Sequence, residues 1–340
     1  MKVSAFTFIK NGQILGYPFI QSIKSVLSIA SRTSKFPDDF RYWQKFKQSK
    51  SAKYKDTKVI VIDEDEIKRV CDNNLGVGAD QFIILNQPTD LGLTSGATIF
   101  MRLLNIDGLE VGACGNATRC VAKLLMDYLN TTVIKIETLA GVLNCDYLDD
   151  GRIQCNMGTI KHEAEHIPLS KNIDTLNNVN LTAGPLSNPV LSNIGNPHAT
   201  FFVNEIESVN IEKWAPLIQK NALFPEQVNV GIAEIIDHHT LKLEVFERPG
   251  ILTKACGSGA CAAVYAANKR QYKVASKMKV ILPAGPLTIE LMSDNSISMI
   301  GPAEYIFSGL LFLNSWDSFS PGNAFLRFKI MNSTSRFRFY

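Results

Sequence analysis

From residue 58 onward the chain breaks into short apolar runs with two distinct periods. Val59-Ile60-Val61-Ile62 is a continuous run of the buried-strand type, and residues 63–73 carry Ile67, Val70 and Cys71 at helical spacing on one face. Gly76-Val77-Gly78-Ala79-Asp80-Gln81 reads as a glycine turn into a strand over 82–85. It lacks the third glycine of a dinucleotide loop, and a strand rather than a helix follows, so that fingerprint fails. A strand over 98–104 ends in the turn signal Asn105-Ile106-Asp107-Gly108. A helix over 117–128, with Val121, Leu124 and Leu125 facing inward, precedes three antiparallel strands at 132–137, 141–148 and 152–157.

The second half begins the same plan again. After a loop-rich stretch to about residue 187, Gly195-Asn196-Pro197-His198 leads into a strand over 199–203, and a helix is expected over 209–220. Residues 239–246 alternate apolar and polar, as a half-buried strand does. A helix over 260–269 and strands at 277–282, 287–291 and 296–300 follow. Strand, turn, Cys-Gly, helix and meander thus occur twice, which is a duplication of whole domains rather than a solenoid repeat. Before residue 58 the pattern is thin: short strands at 6–9 and 18–20 and a helix at 22–31. Residues from 311 onward are rich in Phe and Ser without periodicity.

The two copies share more than a period. Ala113-Cys114-Gly115-Asn116-Ala117-Thr118-Arg119-Cys120 and Ala255-Cys256-Gly257-Ser258-Gly259-Ala260-Cys261 echo each other, and Asn105 and Glu247 each lie nine residues before the first cysteine. A cysteine before a helix start meets unpaired N–H groups, which favour an anion and lower a thiol pKa. The same N–H groups, on Gly115-Asn116 and Gly257-Ser258, can hold a carboxylate. If the copies face each other, a thiolate and a thiol lie on opposite sides of one cavity. That arrangement suits inversion of a carbon bearing a carboxylate: one sulfur removes a proton and the other returns one. Cys71, Cys120, Cys145, Cys155 and Cys261 read as core.

Composition narrows the classes. With 340 residues, 46% hydrophobic and 20% charged, the chain is long enough for two cores. A net charge of +3 without a run of like charges gives no case for nucleic acid, and no apolar stretch is long enough for a membrane helix. The seven scattered cysteines contain no CxxC pair, which points to a reducing, cytoplasmic setting rather than a disulfide framework or zinc ribbon. Residues 1–36 hold Lys, Arg and Ser but no Asp or Glu, which fits either a basic N-terminus or an organellar transit peptide.

These motifs, with Glu247-Arg248 and Gly301-Pro302-Ala303-Glu304, resemble the diaminopimelate epimerase family over roughly residues 58 to 310. The resemblance implies an α/β (α+β) fold of two pseudo-symmetric domains, each a mixed, mostly antiparallel sheet wrapped around a central helix, with the active site in the cleft between them. The domains would be 56–158 plus 302–312 and 159–301, flanked by a divergent segment 1–55 and a tail 313–340. It implies interconversion of LL- and meso-2,6-diaminopimelate, in lysine and peptidoglycan precursor synthesis, by a homodimer with no cofactor and no metal. Carried over, Cys114 and Cys256 are base and acid. Gly115, Asn116, Gly257 and Ser258 cradle the reacting carboxylate. Asn105, Asn196, Asn229, Glu247 and Arg248 read the distal end, Gln81 lines the pocket, and His198 and Glu247 tune the thiols. A guanidinium such as that of Arg248 is the natural bidentate partner of a carboxylate.

The chain departs from the family at its ends. Gly16-Tyr17-Pro18-Phe19 stands where the family has Gly-Asn-Asp-Phe, Leu109 stands where it usually has Ser, and residues 313–340 have no counterpart. An impaired or inactive remnant is therefore a competing expectation. A proline racemase-like enzyme of the same fold is another, as is a redox pair formed by the two thiols. His162-Glu163-Ala164-Glu165-His166 matches the HExxH zinc signature, which needs a helix to bring both imidazoles to one face; Gly158 and Pro168 flank it, so a charged loop is the expectation.

Overall fold

The computed structural model describes residues 5–10, 13–15, 64–76, 78–112, 114–294, 296–307, 309–310 and 329–330. The strands expected at 18–20 and 59–62 and the helix at 22–31 lie outside the described residues. The chain divides into two compact units, residues 1–87 with 101–111 and 305–340, and residues 88–100 with 112–304.

In the first unit the strand Ala5–Lys10 pairs antiparallel with Gln13–Leu15 and with Gln81–Asn86, placing Phe6 opposite Ile84. Tyr305–Phe307 runs parallel to Gln13–Leu15. Phe82 to Leu85 are all buried, as their unbroken apolar run requires. Helix α1 (Glu64–Cys71) buries Ile67, Val70 and Cys71, the face read from the sequence. It stops at Asp72, whose carboxylate accepts the N–H groups of Asn74 and Leu75 at 2.7 Å each and so competes with the helical ladder. At Gly76 a Cβ would stand 2.2 Å from the Arg69 carbonyl oxygen, so that glycine is a packing requirement.

The second unit is built on one continuous ladder of strands. Val133–Thr138, Gly141–Tyr147 and Ile153–Thr159 form an antiparallel meander, and Ile153–Thr159 pairs on its other side with Ser296–Gly301. From there the ladder runs antiparallel through Gly285–Leu291 and Lys277–Leu282, parallel to Thr240–Glu247, and antiparallel to Asn229–Asp237. Pro197–Phe202 adds in parallel and Val190–Asn193 closes antiparallel. The strand Asn229–Asp237 escapes sequence reading because its first five residues are all buried, leaving no alternation.

Among the described residues four α-helices belong to this unit. Short α2 (Asp90–Thr94) buries Gly92 against Glu137, whose buried carboxylate accepts the Thr89 N–H at 2.8 Å and the Thr89 hydroxyl. Helix α3 (Gly115–Leu129) packs on the meander and ends at Asn130, a left-handed C-cap at φ 51°. Helix α4 (Ile211–Gln219) begins at Asn210, whose side chain caps the Lys213 N–H at 3.0 Å. Helix α5 (Gly257–Lys269) carries Gly, Ala, Ser and Cys around most of its circumference, and strands from Val190–Asn193 through Ser296–Gly301 pack against it. Small side chains let the strands come close, and a helix buried over most of its length belongs in a core. This is the mixed α/β class, with sheet wrapped around helix, that the sequence led us to expect.

Candidate functional site

Both conspicuous cysteines occupy the same position in their elements. Cys114 is the N-cap of α3 and Cys256 the N-cap of α5, each in extended backbone. The helices begin directly after them, at Gly115 and Gly257, two to three residues earlier than helical periodicity suggested, because glycine offers no apolar side chain to read. Cys256 Sγ accepts the Gly259 N–H at 3.3 Å and lies 3.5 Å from Ser258 Oγ. At Gly259 a Cβ would stand 3.1 Å from that sulfur and 2.7 Å from Val245 Cγ2.

The two helix starts meet. Asn116 Nδ2 donates to the Ala255 carbonyl at 2.8 Å, tying the first turn of α3 to the residue before Cys256. A Cβ at Gly115 would lie 2.3 Å from Met299 Cε, and one at Gly257 would lie 2.8 Å from Met299 Sδ and 3.6 Å from Asn116 Oδ1. Both glycines therefore rest on one methionine, whose side chain would have to shift to make room for any larger residue at either position.

The expected lowering of the thiol pKa values is overturned in the free chain. Burial pushes both thiols up and outweighs the helix ends. At Cys114 the N–H groups of Ala117 and Asn116 favour the thiolate although they lie outside cap hydrogen-bond geometry, and the Glu247 carboxylate opposes them. At Cys256 the Glu247 carboxylate is the next cause after burial, and Ser258 and Gly259 pull the other way. Glu247 thus bears on both sulfurs, while Thr253 Oγ1 holds it by a 2.7 Å hydrogen bond.

Behind Ser258 lies a polar cluster. His198, 1% exposed, sets Nε2 3.0 Å from Ser258 Oγ and 3.0 Å from Asn196 Oδ1, with Asn229 Nδ2 at 3.5 Å. Burial first, then the Arg248 charge, pushes its pKa down to about 3, so the ring is neutral. Asn229 Oδ1 accepts the Arg248 backbone N–H at 2.9 Å, and the Arg248 guanidinium donates to the Glu226 carbonyl at 2.9 Å. Asn196, His198, Asn229, Arg248 and Ser258 therefore form one connected group.

Gln81 and Asn105, in the first unit, are brought together with each other: Gln81 Nε2 donates to Asn105 Oδ1 at 3.2 Å. The zinc signature does not fold as that motif needs. Ala164–His166 is a single 3-10 turn, and the His162 ring is engaged 2.8 Å from the Leu191 carbonyl oxygen. Among the described residues no group of three His, Cys, Asp or Glu side chains could hold a metal ion. Sequence reading missed Met299 and Arg119. Nothing marks Met299 in a strand of apolar residues, and Arg119 lies opposite the face that Val121, Leu124 and Leu125 mark, beside Lys123, so the pattern gave it to solvent.

A model of the family described as diaminopimelate epimerase matches residues 53–163 and 190–306. The chain is 41% identical over 243 residues to the diaminopimelate epimerase of Acidiphilium cryptum (strain JF-5), covering 72% of this chain and 85% of that relative. It is 38% identical over 244 residues to the enzyme of that name from Rhodospirillum centenum (strain ATCC 51521 / SW), covering 72% and 82%. Among solved structures it is similar to a hydroxyproline epimerase from Agrobacterium vitis with bound trans-4-hydroxy-L-proline. That likeness has a TM-score of 0.52 at 14% identity, covers 88% of this chain and 90% of that one, and speaks to the fold alone.

Proposed function

We propose, for a chain that belongs to the diaminopimelate epimerase family, that it interconverts LL- and meso-2,6-diaminopimelate by moving one α-proton between two sulfurs. The family is one of isomerases. The observation that carries the reading is the junction of the two helix starts: Asn116 bonded to Ala255, with Gly115 and Gly257 on either side of Met299. It supports the reading because it joins the first turns of the two helices that Cys114 and Cys256 cap.

In this reading the thiolate of one cysteine takes the α-proton as the Cα–H bond breaks, and the electron pair delocalises into the substrate carboxylate. The other thiol then gives its proton to the opposite face of the same carbon and is left as thiolate. The two sulfurs exchange roles when the reaction reverses. The N–H groups that begin α3 and α5 stabilise charge developing on the carboxylate, the interaction that lowers such barriers most. The raised thiol pKa values make each sulfur a stronger base once ionised. Arg248 and the asparagines beside it supply partners for the distal amino acid, and leaving those groups unpaired penalises shorter substrates.

The test is proton NMR of LL-diaminopimelate in deuterated water with the purified chain, Cys114→Ala and Cys256→Ala. The expected result is loss of the α-proton signal with meso product for the parent, and no epimerisation by either variant. A folded parent chain that exchanges no proton would overturn the reading in favour of an inactive remnant.

A further inference from the structure

Arg119 is a buried cation with no carboxylate among its hydrogen-bond partners in the described residues. Its side chain is 3% exposed, and among the described residues its hydrogen bonds go only to neutral acceptors. Nη2 donates to Asn116 Oδ1 at 2.9 Å, Nη1 to Met299 Sδ at 3.1 Å, and Nε to the Pro302 carbonyl at 3.4 Å. A charge in such low-dielectric surroundings acts on nearby anions more strongly than one in water.

The fold makes space for this group. At Gly301 a Cβ would lie 3.1 Å from Arg119 Nε, 3.3 Å from its Cζ and 2.5 Å from Leu287 Cδ2. Two of the three partners of the guanidinium also belong to the junction of the helix starts. Asn116, held through its Oδ1, uses its Nδ2 to grip the Ala255 carbonyl at 2.8 Å. Met299 is the side chain on which Gly115 and Gly257 both rest. One planar fork therefore fixes the groups that join the start of α3 to the start of α5, and it does so without hydrogen-bonding either thiol.

We propose, on the premise of the epimerisation above, that Arg119 is a positioning residue. It holds the Cys114 and Cys256 helix starts at a fixed separation through Asn116 and Met299, and its charge stabilises the negative charge that develops beside them. Its influence on the Cys114 thiol runs in the required direction, toward the thiolate.

The test compares the full parent chain with Arg119→Met and Arg119→Lys. Three quantities are read: kcat and KM for LL-diaminopimelate, the pH midpoint of iodoacetamide alkylation at each cysteine by mass spectrometry, and the melting temperature. For Arg119→Met the expectation is a fall in kcat of about 10²–10³-fold with KM little changed, and a Cys114 midpoint moved to higher pH. Arg119→Lys restores that midpoint but leaves kcat roughly tenfold down, because an ammonium cannot span three acceptors in a fixed fork. A folded Arg119→Met with parental kcat and parental Cys114 midpoint overturns the proposal. So does a lower melting temperature with a lower kcat but an unmoved midpoint, which is a merely structural role. If Arg119→Met does not fold, Arg119→Lys decides alone: parental kcat, or a reduced kcat with a lowered melting temperature, overturns the proposal, and a reduced kcat at a parental melting temperature and midpoint supports it. A parent chain that does not epimerise at all fails the function proposed above instead, and the Cys114 midpoint still reports on the charge of Arg119.

Discussion

His198 Nε2 lies 3.0 Å from the Ser258 hydroxyl, and that hydroxyl lies 3.5 Å from the Cys256 sulfur. The imidazole is thus linked to the thiol through a hydroxyl. Because the ring is neutral down to about pH 3, it acts as a fixed hydrogen-bond partner and not as a titrating group at neutral pH.

That neutrality has a stability consequence. An unfolded histidine titrates near ~6.5, whereas His198 in the folded chain titrates at about 3. Between those values the unfolded chain binds a proton that the folded chain refuses, so the contribution is complete above the unfolded pKa and declines as pH falls. The loss is about 1.4 kcal/mol per pH unit. Urea unfolding at pH 7 and pH 5 is expected to show the parent losing roughly 2 kcal/mol more than His198→Gln. Equal losses in both chains would contradict the assignment.

The thiols should behave as raised groups until substrate binds. Alkylation of Cys114 and Cys256 by iodoacetamide is expected to climb about tenfold per pH unit from pH 7 to 9 without a plateau. Since Glu247 raises both sulfurs, Glu247→Gln is expected to speed alkylation at both sites at pH 7. Site-resolved mass spectrometry checks this, and an early plateau or a rate unaffected by Glu247→Gln refutes it.

Gly259 tests how tightly Cys256 is held. An alanine there meets Val245 Cγ2 at 2.7 Å and the sulfur at 3.1 Å, and valine has little rotamer freedom with which to yield. Gly259→Ala is expected to lose about 1–3 kcal/mol of stability and to alter alkylation at Cys256 more than at Cys114. Gly231→Ala is the control, because its new methyl would meet Leu243 Cδ1 at an ordinary 3.5 Å.

Glu137 lies outside the machinery and should affect stability alone. Its carboxylate accepts both the N–H and the hydroxyl of Thr89, so Glu137→Gln turns one acceptor toward donors. A loss of about 1–3 kcal/mol is expected, with kcat/KM of the folded enzyme unchanged. Thermal melting with parallel kinetics decides the matter, and a large kinetic defect at parental stability would show a different role.

Most of the fold could be read wherever one face of an element is wet. The strand Lys277–Leu282 has the bounds its alternation predicts, and α1 buries the face its spacing marks. Pattern failed where both faces are dry, as in Asn229–Asp237, and where glycine opens a helix, as at Gly115 and Gly257. The site was legible as residue types in a repeated order: Cys, Gly and a polar residue before a helix. The thiol pKa values were not, because the helix-end effect is local and visible in sequence while burial is a property of the whole packing. Met299 was invisible for a related reason, since its part depends only on what the fold sets against it.

The closure of the sheet around α5 decides which parts of the molecule can breathe. Most side chains from Ala260 to Ala267 are buried under packed strands, so exchange of these amides is expected to require those strands to separate. Cys256 is attached directly to that segment. If Cys256 is one of the two proposed acid–base groups, it is anchored to an enclosed segment, and motion that admits a substrate is expected from the segments around it.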